Sequence, residues 1–157
     1  MSQPCAVLIV GAGPVGLALA VALRRAGISV RIVDEAAQRS TTSKGVGLQY
    51  RVSEILAILG VAERFLAVGG SPTVVNLYAG QQKLAALRFI APPGLSGKDA
   101  FQPQAIMIAQ SETERLLGEA LAEAGVEIEW STEFVAFSPS RSRTGRVLLA
   151  ERDHDPW

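Results

Sequence analysis

The stretch VLIVGAGPVGLALAVALRRAG, residues 7–27, sets a run of apolar residues against a run rich in alanine and leucine, with Gly11, Gly13 and Gly16 between them. The first run belongs to CAVLIV (5–10), continuously apolar and β-branched, as expected of a central parallel strand buried on both faces. The second, PVGLALAVALRRAG (14–27), predicts a helix, with Pro14 suited to its first turn and Gly27 to its C-terminal cap. SVRIVD (29–34) predicts a second strand. Strand, helix and strand within about thirty residues make a βαβ unit, which is right-handed in nearly all cases.

In such a unit the three glycines have separate reasons. Gly11 allows the tight turn off the strand, Gly13 lets a pyrophosphate approach the backbone, and Gly16 lets the helix pack closely on the sheet. The helix start offers free N–H groups and a partial positive charge to phosphates. Asp34 closes the second strand, placed to accept hydrogen bonds from a ribose diol and to repel a 2′-phosphate. Glu35 beside it reads more readily as a solvated side chain than as a second ribose ligand, and it stays in the candidate set. The unit alone accommodates NAD or FAD, since both present an adenosine diphosphate.

Composition narrows the rest. The 157 residues suffice for one domain with a core; 48% are hydrophobic and 19% charged, an ordinary soluble composition. Fifteen basic and fifteen acidic residues cancel, so no net field points to nucleic acid or an anionic membrane. The apolar run near the start is broken by glycine and proline and is too short to span a bilayer. The single cysteine, Cys5, leaves no internal disulfide and fits a reducing, cytoplasmic compartment. His154 between Asp153 and Asp155 lies in a tail whose adjacent residues do not converge on one ion, so no metal site is expected.

Further along, STTSKGVGLQ reads as a loop, a helical pattern begins at Arg51, and Gly60 breaks it into two pieces. Runs 73–78 and 84–89 predict a hairpin around Gly80-Gln81-Gln82, followed by a loop rich in proline and glycine. Ser111 and Glu114 make an S-x-x-E capping box that predicts a helix from Glu112 to Gly125, apolar along Leu116, Leu117, Ala120, Leu121 and Ala124. VEIEW, EFVAF and RVLLAE predict strands, the last two joined by a polar turn whose arginines, Arg141, Arg143 and Arg146, read as solvated.

LIVGAGPVGLALA, IVDEA and SKGVGLQYRVSEILAILGVAERF together resemble the FAD-dependent aromatic hydroxylases, the single-component flavoprotein monooxygenases. Ser43, Lys44, Gly45, Gly47, Leu48, Gln49, Arg51, Glu54, Ile55 and Leu56 carry the third segment. Lys44 stands where the family usually has an arginine near the flavin and pyrophosphate, and Tyr50 replaces a common proline. The family's Q-x-x-x-E-x-x-L helix, whose glutamine contacts the cofactor, falls on Gln110, Glu114 and Leu117. The resemblance implies an α/β fold: a Rossmann-like FAD-binding domain with a parallel sheet, a short antiparallel hairpin excursion and a terminal β meander. Residues 1–70 and 106–157 would form the nucleotide-binding part, and 71–105 the start of a substrate domain. The implied cofactor set is Gly11, Gly13, Pro14, Val15, Gly16, Asp34, Glu35, Lys44 and Gln110.

The resemblance also implies the parent chemistry: NAD(P)H reduces FAD, and reduced flavin with O₂ hydroxylates a small aromatic, phenol-like or polyketide substrate. Two later family fingerprints, one with Asp-Gly and one with Gly-Asp, have no counterpart here, as the chain contains neither dipeptide. The expectation is therefore a fold incomplete relative to the family's, binding FAD but inactive alone, with no catalytic residue to name. Its exposed core faces would favour self-association. An NAD-binding dehydrogenase domain and a non-enzymatic nucleotide-binding remnant are the alternatives.

Overall fold

In the computed structural model the first apolar run forms β1 (Val7–Val10), the alanine- and leucine-rich run α1 (Pro14–Arg25), and the next apolar run β2 (Val30–Val33). There follow β3 (Val46–Leu48), α2 (Tyr50–Ile58), α3 (Ala62–Val68), β4 (Val74–Ala79), β5 (Gln82–Arg88) and β6 (Ile106–Ala109). The chain continues through α4 (Gln110–Glu123), β7 (Ile128–Glu129), β8 (Thr132–Pro139) and β9 (Gly145–Glu151). The structure describes residues 5–42, 45–70, 74–88, 105–139 and 145–151. Lys44, the loop 91–104, Arg141, Arg143 and His154 lie outside the described residues. The chain divides into two compact units, Met1–Thr42 with Thr113–Trp157, and Ser43–Glu112.

In the first unit, β1, β2 and β7 form a parallel sheet in that order, with Ile9 beside Ile32 and Ile32 beside Ile128. The expected central strand differs from the observed one. β2 lies in the middle, with Ile32 and Val33 fully buried, while among the described residues β1 pairs with β2 alone and Val10 at its end is 56% exposed. Continuous apolarity reports what covers a strand's faces, not which of its edges are paired. Helix α1 buries Leu17, Ala20 and Val21, one face at helical spacing. Helix α4 buries Leu116, Leu117, Ala120 and Leu121, the face read from sequence. Each such leucine contributes about 1.5–3 kcal/mol by leaving water.

Two polar ties brace this unit. The Arg31 guanidinium donates twice to Glu129 across β2 and β7, Nε to Oε1 at 2.8 Å and Nη2 to Oε2 at 2.6 Å. That hydrogen bonding holds the Glu129 carboxyl below its ordinary value and raises the Arg31 guanidinium, with burial opposing both shifts. Arg24, near the end of α1, donates to the carbonyls of Ile28 and Ala124, each at 3.3 Å. β8 and β9 make an antiparallel hairpin with a register shift between Phe134 and Ala136. The pairing puts Phe134, Phe137, Val147 and Leu149 on one side, and Phe137 is 57% exposed.

In the second unit, β3 pairs antiparallel with β6, while α2 and α3, split at Gly60 as the sequence predicts, bury Leu56, Leu59 and Phe65. Ile106 and Ile108 of β6 are buried and Met107 between them is not, the period of a strand with one covered face. β4 and β5 form the predicted hairpin, also antiparallel. The expected start of the next helix is displaced. α4 begins at Gln110, directly after β6, so Ser111 lies inside the first turn rather than capping it. The Gln110 N–H donates to the Gly45 carbonyl at 3.0 Å, so the contact between the β3 and β6 segments extends into the helix start and no loop intervenes. No helix among the described residues is long and apolar enough to cross a membrane.

Candidate functional site

The turn between β1 and α1 is built by three glycines in three different ways. Gly11 has φ +101°, a conformation closed to most side chains, and its N–H donates to the Val33 carbonyl at 2.8 Å. Gly16 allows close packing: a Cβ there would lie 2.0 Å from the Gly11 carbonyl oxygen and 3.3 Å from Ile9 Cγ2. Gly13 is neither strained nor crowded. Its φ is −75°, and a Cβ there would meet nothing within 4 Å. The protein itself gives no reason for a glycine at 13, whereas a ligand resting on the backbone would.

The helix end faces that open side. Gly13 is the N-cap of α1, and no side chain among the described residues caps it. Pro14 is the first helical residue and has no N–H, and the Leu17 N–H is the donor that reaches the Gly13 carbonyl, at 3.0 Å. The N–H groups of Val15 and Gly16 therefore precede the intrahelical ladder and point out of the helix end. Val15 is 83% exposed beside them. These features fit a dinucleotide pyrophosphate: free backbone donors, the positive end of a helix, and a gap that any larger residue at 13 would fill.

Asp34 sits at the end of β2, half-buried, with every polar atom engaged. Oδ2 accepts from the Ala12 N–H at 2.7 Å and Oδ1 from the Ala36 N–H at 2.8 Å. Its own N–H donates to the Glu129 carbonyl and its carbonyl accepts from the Thr132 N–H, both at 2.9 Å. Each carboxylate oxygen has a second lone pair, so capacity remains for ribose hydroxyls. Glu35 is exposed. Ala12, whose N–H meets Asp34, carried no signal in the sequence, because a backbone donor has no side chain to betray it.

Beside the loop lies an open cleft of about 650 Å³, lined by Ala12 and Leu17, by Gln38, Arg39 and Thr41 beyond β2, by one side of α4, and by Trp130. Its lining mixes cations, acids and an aromatic ring, and an ion pair between Arg115 and Glu119 at 2.6 Å lies along α4. Gln38 and Thr41 carry no distinguishing pattern in the sequence, and Trp130 reads only as a strand end.

The structure thus brings Gly11, Gly13, Pro14, Val15, Gly16 and Asp34 to one end of the first unit's sheet. Gln110 belongs to the second unit, where it opens α4 with its Oε1 3.8 Å from where a Gly45 Cβ would stand.

Residues 4–155 match the family described as FAD binding domain. The chain is 34% identical over 155 residues to 6-methylpretetramide 4-monooxygenase of Streptomyces rimosus, covering 96% of this chain and 27% of that one. It is 32% identical over 139 residues to pentachlorophenol 4-monooxygenase of Sphingobium chlorophenolicum, covering 87% and 25%. The crystal structure of p-nitrophenol 4-monooxygenase PnpA from Pseudomonas putida DLL-E4 shares the fold at a TM-score of 0.78 and 20% identity, over 96% of this chain and 40% of that one. The chain spans about a quarter of the length of the two curated relatives, 27% and 25%. With the glycine turn, the helix end and the match over residues 4–155 in agreement, the chain belongs to the FAD binding domain family.

Proposed function

We propose that this chain binds the adenosine diphosphate part of FAD at the β1–α1 turn and serves as the cofactor-holding part of an NAD(P)H-using aromatic monooxygenase. The observation that carries this is Gly13, a glycine that neither strain nor crowding requires, at the mouth of a helix whose first donors are free. When bound and reduced, FAD supplies the electrons that let one oxygen atom of O₂ pass to an electron-rich ring. The chain's own residues bind and orient. Val15 and Gly16 N–H donate to the pyrophosphate, Gly11 and Gly16 fix the backbone around it, and Asp34 accepts from the ribose. Lys44 and Gln110 are assigned to the flavin side through the family pattern, and Glu35, exposed beside Asp34, is the second acid within reach of the ribose.

A phenol-like or polyketide substrate is proposed because two relatives above 30% identity carry aromatic or polycyclic substrates in their names. The division into 1–70 with 106–157 as nucleotide-binding part and 71–105 as the start of a substrate region belongs to the same reading. So do a cytoplasmic setting, supported by the lone Cys5, and self-association through exposed apolar faces such as that of the β8–β9 hairpin. The family match favours this reading over an NAD-binding dehydrogenase domain.

The test is direct. The purified chain is mixed with FAD, passed through a desalting column and scanned from about 350 to 500 nm, where flavin absorbs. Flavin eluting with protein supports the reading, and a colourless protein fraction together with no heat of binding for FAD overturns it.

A further inference from the structure

Asp34 would be expected to spend its carboxylate on the cofactor. Instead, both oxygens already hold backbone. Oδ2 takes the Ala12 N–H, inside the glycine turn between Gly11 and Gly13, and Oδ1 takes the Ala36 N–H. Asp34 is itself anchored through its backbone, to Glu129 on one side and Thr132 on the other. The segment after it is held as well, because the Ser131 N–H donates to the Ala36 carbonyl at 2.8 Å. Ser131 has φ +52°, the sole positive-φ residue other than glycine among those described. A non-glycine residue in that region persists where its surroundings over-determine it. The turn between β7 and β8 thus braces the end of β2, and the end of β2 holds the glycine turn by one charge-assisted hydrogen bond.

We propose that Asp34 is a positioning residue for the pyrophosphate, fixing the shape of the glycine turn through Ala12, in addition to any contact it makes with ribose. The inference rests on the FAD-binding reading above. It separates two roles that one substitution would otherwise confuse. A ribose ligand acts equally on every adenosine-containing molecule. A residue that shapes the phosphate-binding turn acts in proportion to the phosphates bound. Coulomb's law runs the other way: removing an acid near phosphates favours the more charged ligand. A larger loss on ADP than on adenosine therefore has no simple electrostatic source.

The experiment compares the whole chain with Asp34→Ala, titrating each with adenosine, AMP and ADP by calorimetry, and follows amide hydrogen exchange at Ala12 and Ala36 without ligand. The expected result is an excess loss of about tenfold for ADP over adenosine, equivalent to roughly 1.4 kcal/mol, with faster exchange at both amides. Asp34→Asn has the same shape but accepts through one branch only, so an intermediate excess is expected, and it guards against a misfolded alanine variant. Equal losses for adenosine and ADP, or unchanged exchange at Ala12, would overturn the positioning role even in a chain that binds ADP. A parent chain that binds none of the three nucleotides would overturn the FAD reading, whereas the exchange measurement would still decide whether Asp34 holds the turn.

Discussion

Gly16 and Gly11 approach so closely that a methyl group on the first would stand 2.0 Å from the carbonyl oxygen of the second. Three residues away, Gly13 has open space where a side chain would go. The same residue type is thus required for opposite reasons, which predicts opposite phenotypes. Gly16→Ala forces α1 away from β1 and should destabilise the fold by about 1–3 kcal/mol or more. Gly13→Val should leave the melting temperature nearly unchanged and abolish FAD binding. Circular dichroism melts and FAD titrations on both variants check this. A stable, FAD-binding Gly13→Val chain would remove the turn from the cofactor site.

The Arg31–Glu129 pair gives a pH prediction. The Glu129 carboxyl is lowered from its ordinary value of 4.5 by the Arg31 hydrogen bond. A group lowered in the folded state binds fewer protons there than in the unfolded chain. Its stabilisation is therefore complete above the ordinary glutamate value and fades as pH falls through the lower folded value. The Glu129 side chain is 39% exposed, so solvent screens the pair and its contribution is about 1 kcal/mol or less. Melting curves of the parent and Glu129→Gln should differ at neutral pH and converge in acid. A constant gap across that range would show that the pair's charge is not its contribution.

Adjacent arginines should behave differently. Arg24 donates to carbonyls that follow two helices, Ile28 after α1 and Ala124 after α4, where a cation also meets the negative helix end. Its Nε is buried and finds no partner among the described residues, a cost that the two Nη bonds offset. Arg24→Ala should lower stability by about 1.5–3 kcal/mol, the range for bonds to a charged group. Arg25, which is exposed, should tolerate alanine within about 0.5 kcal/mol. Urea titrations of both variants measure the difference.

Activity is the remaining prediction. The family fingerprints with Asp-Gly and Gly-Asp are absent from this sequence, and a flavin that water can reach wastes reducing equivalents as hydrogen peroxide. The 157-residue chain, given FAD, NADPH, O₂ and a panel of phenols, should form peroxide at most and no hydroxylated ring. Mass spectrometry of the phenols decides, and hydroxylated product formed in step with NADPH consumption would overturn the prediction.

Much of this was legible from residue order. The βαβ unit was, because glycine, proline and β-branched residues act through local backbone geometry that the sequence states outright. So was the buried face of α4, since Leu116, Leu117, Ala120 and Leu121 follow the helix period. Two features were not. The edge position of β1 among the described residues depends on which strands pair beside it, a long-range property that CAVLIV does not encode. The start of α4 is not legible, because Ser111 and Glu114 match a capping-box pattern in the sequence while the junction of β6 with Gln110 starts the helix earlier. At the site, Asp34 stands out by position, but its partner Ala12 does not, and Gln38 and Thr41 come to line one cleft with α4 only through the tertiary fold.

Ser131 offers a route to a sturdier protein. Its left-handed backbone is tolerated by serine and natural for glycine or asparagine. A single change there would relax the tight turn between β7 and β8 while leaving every core side chain and every backbone donor in place. For anyone wishing to engineer this chain as a carrier of cofactor analogues, the first gain in heat tolerance lies in that corner, outside the apolar interior where most stabilising designs begin.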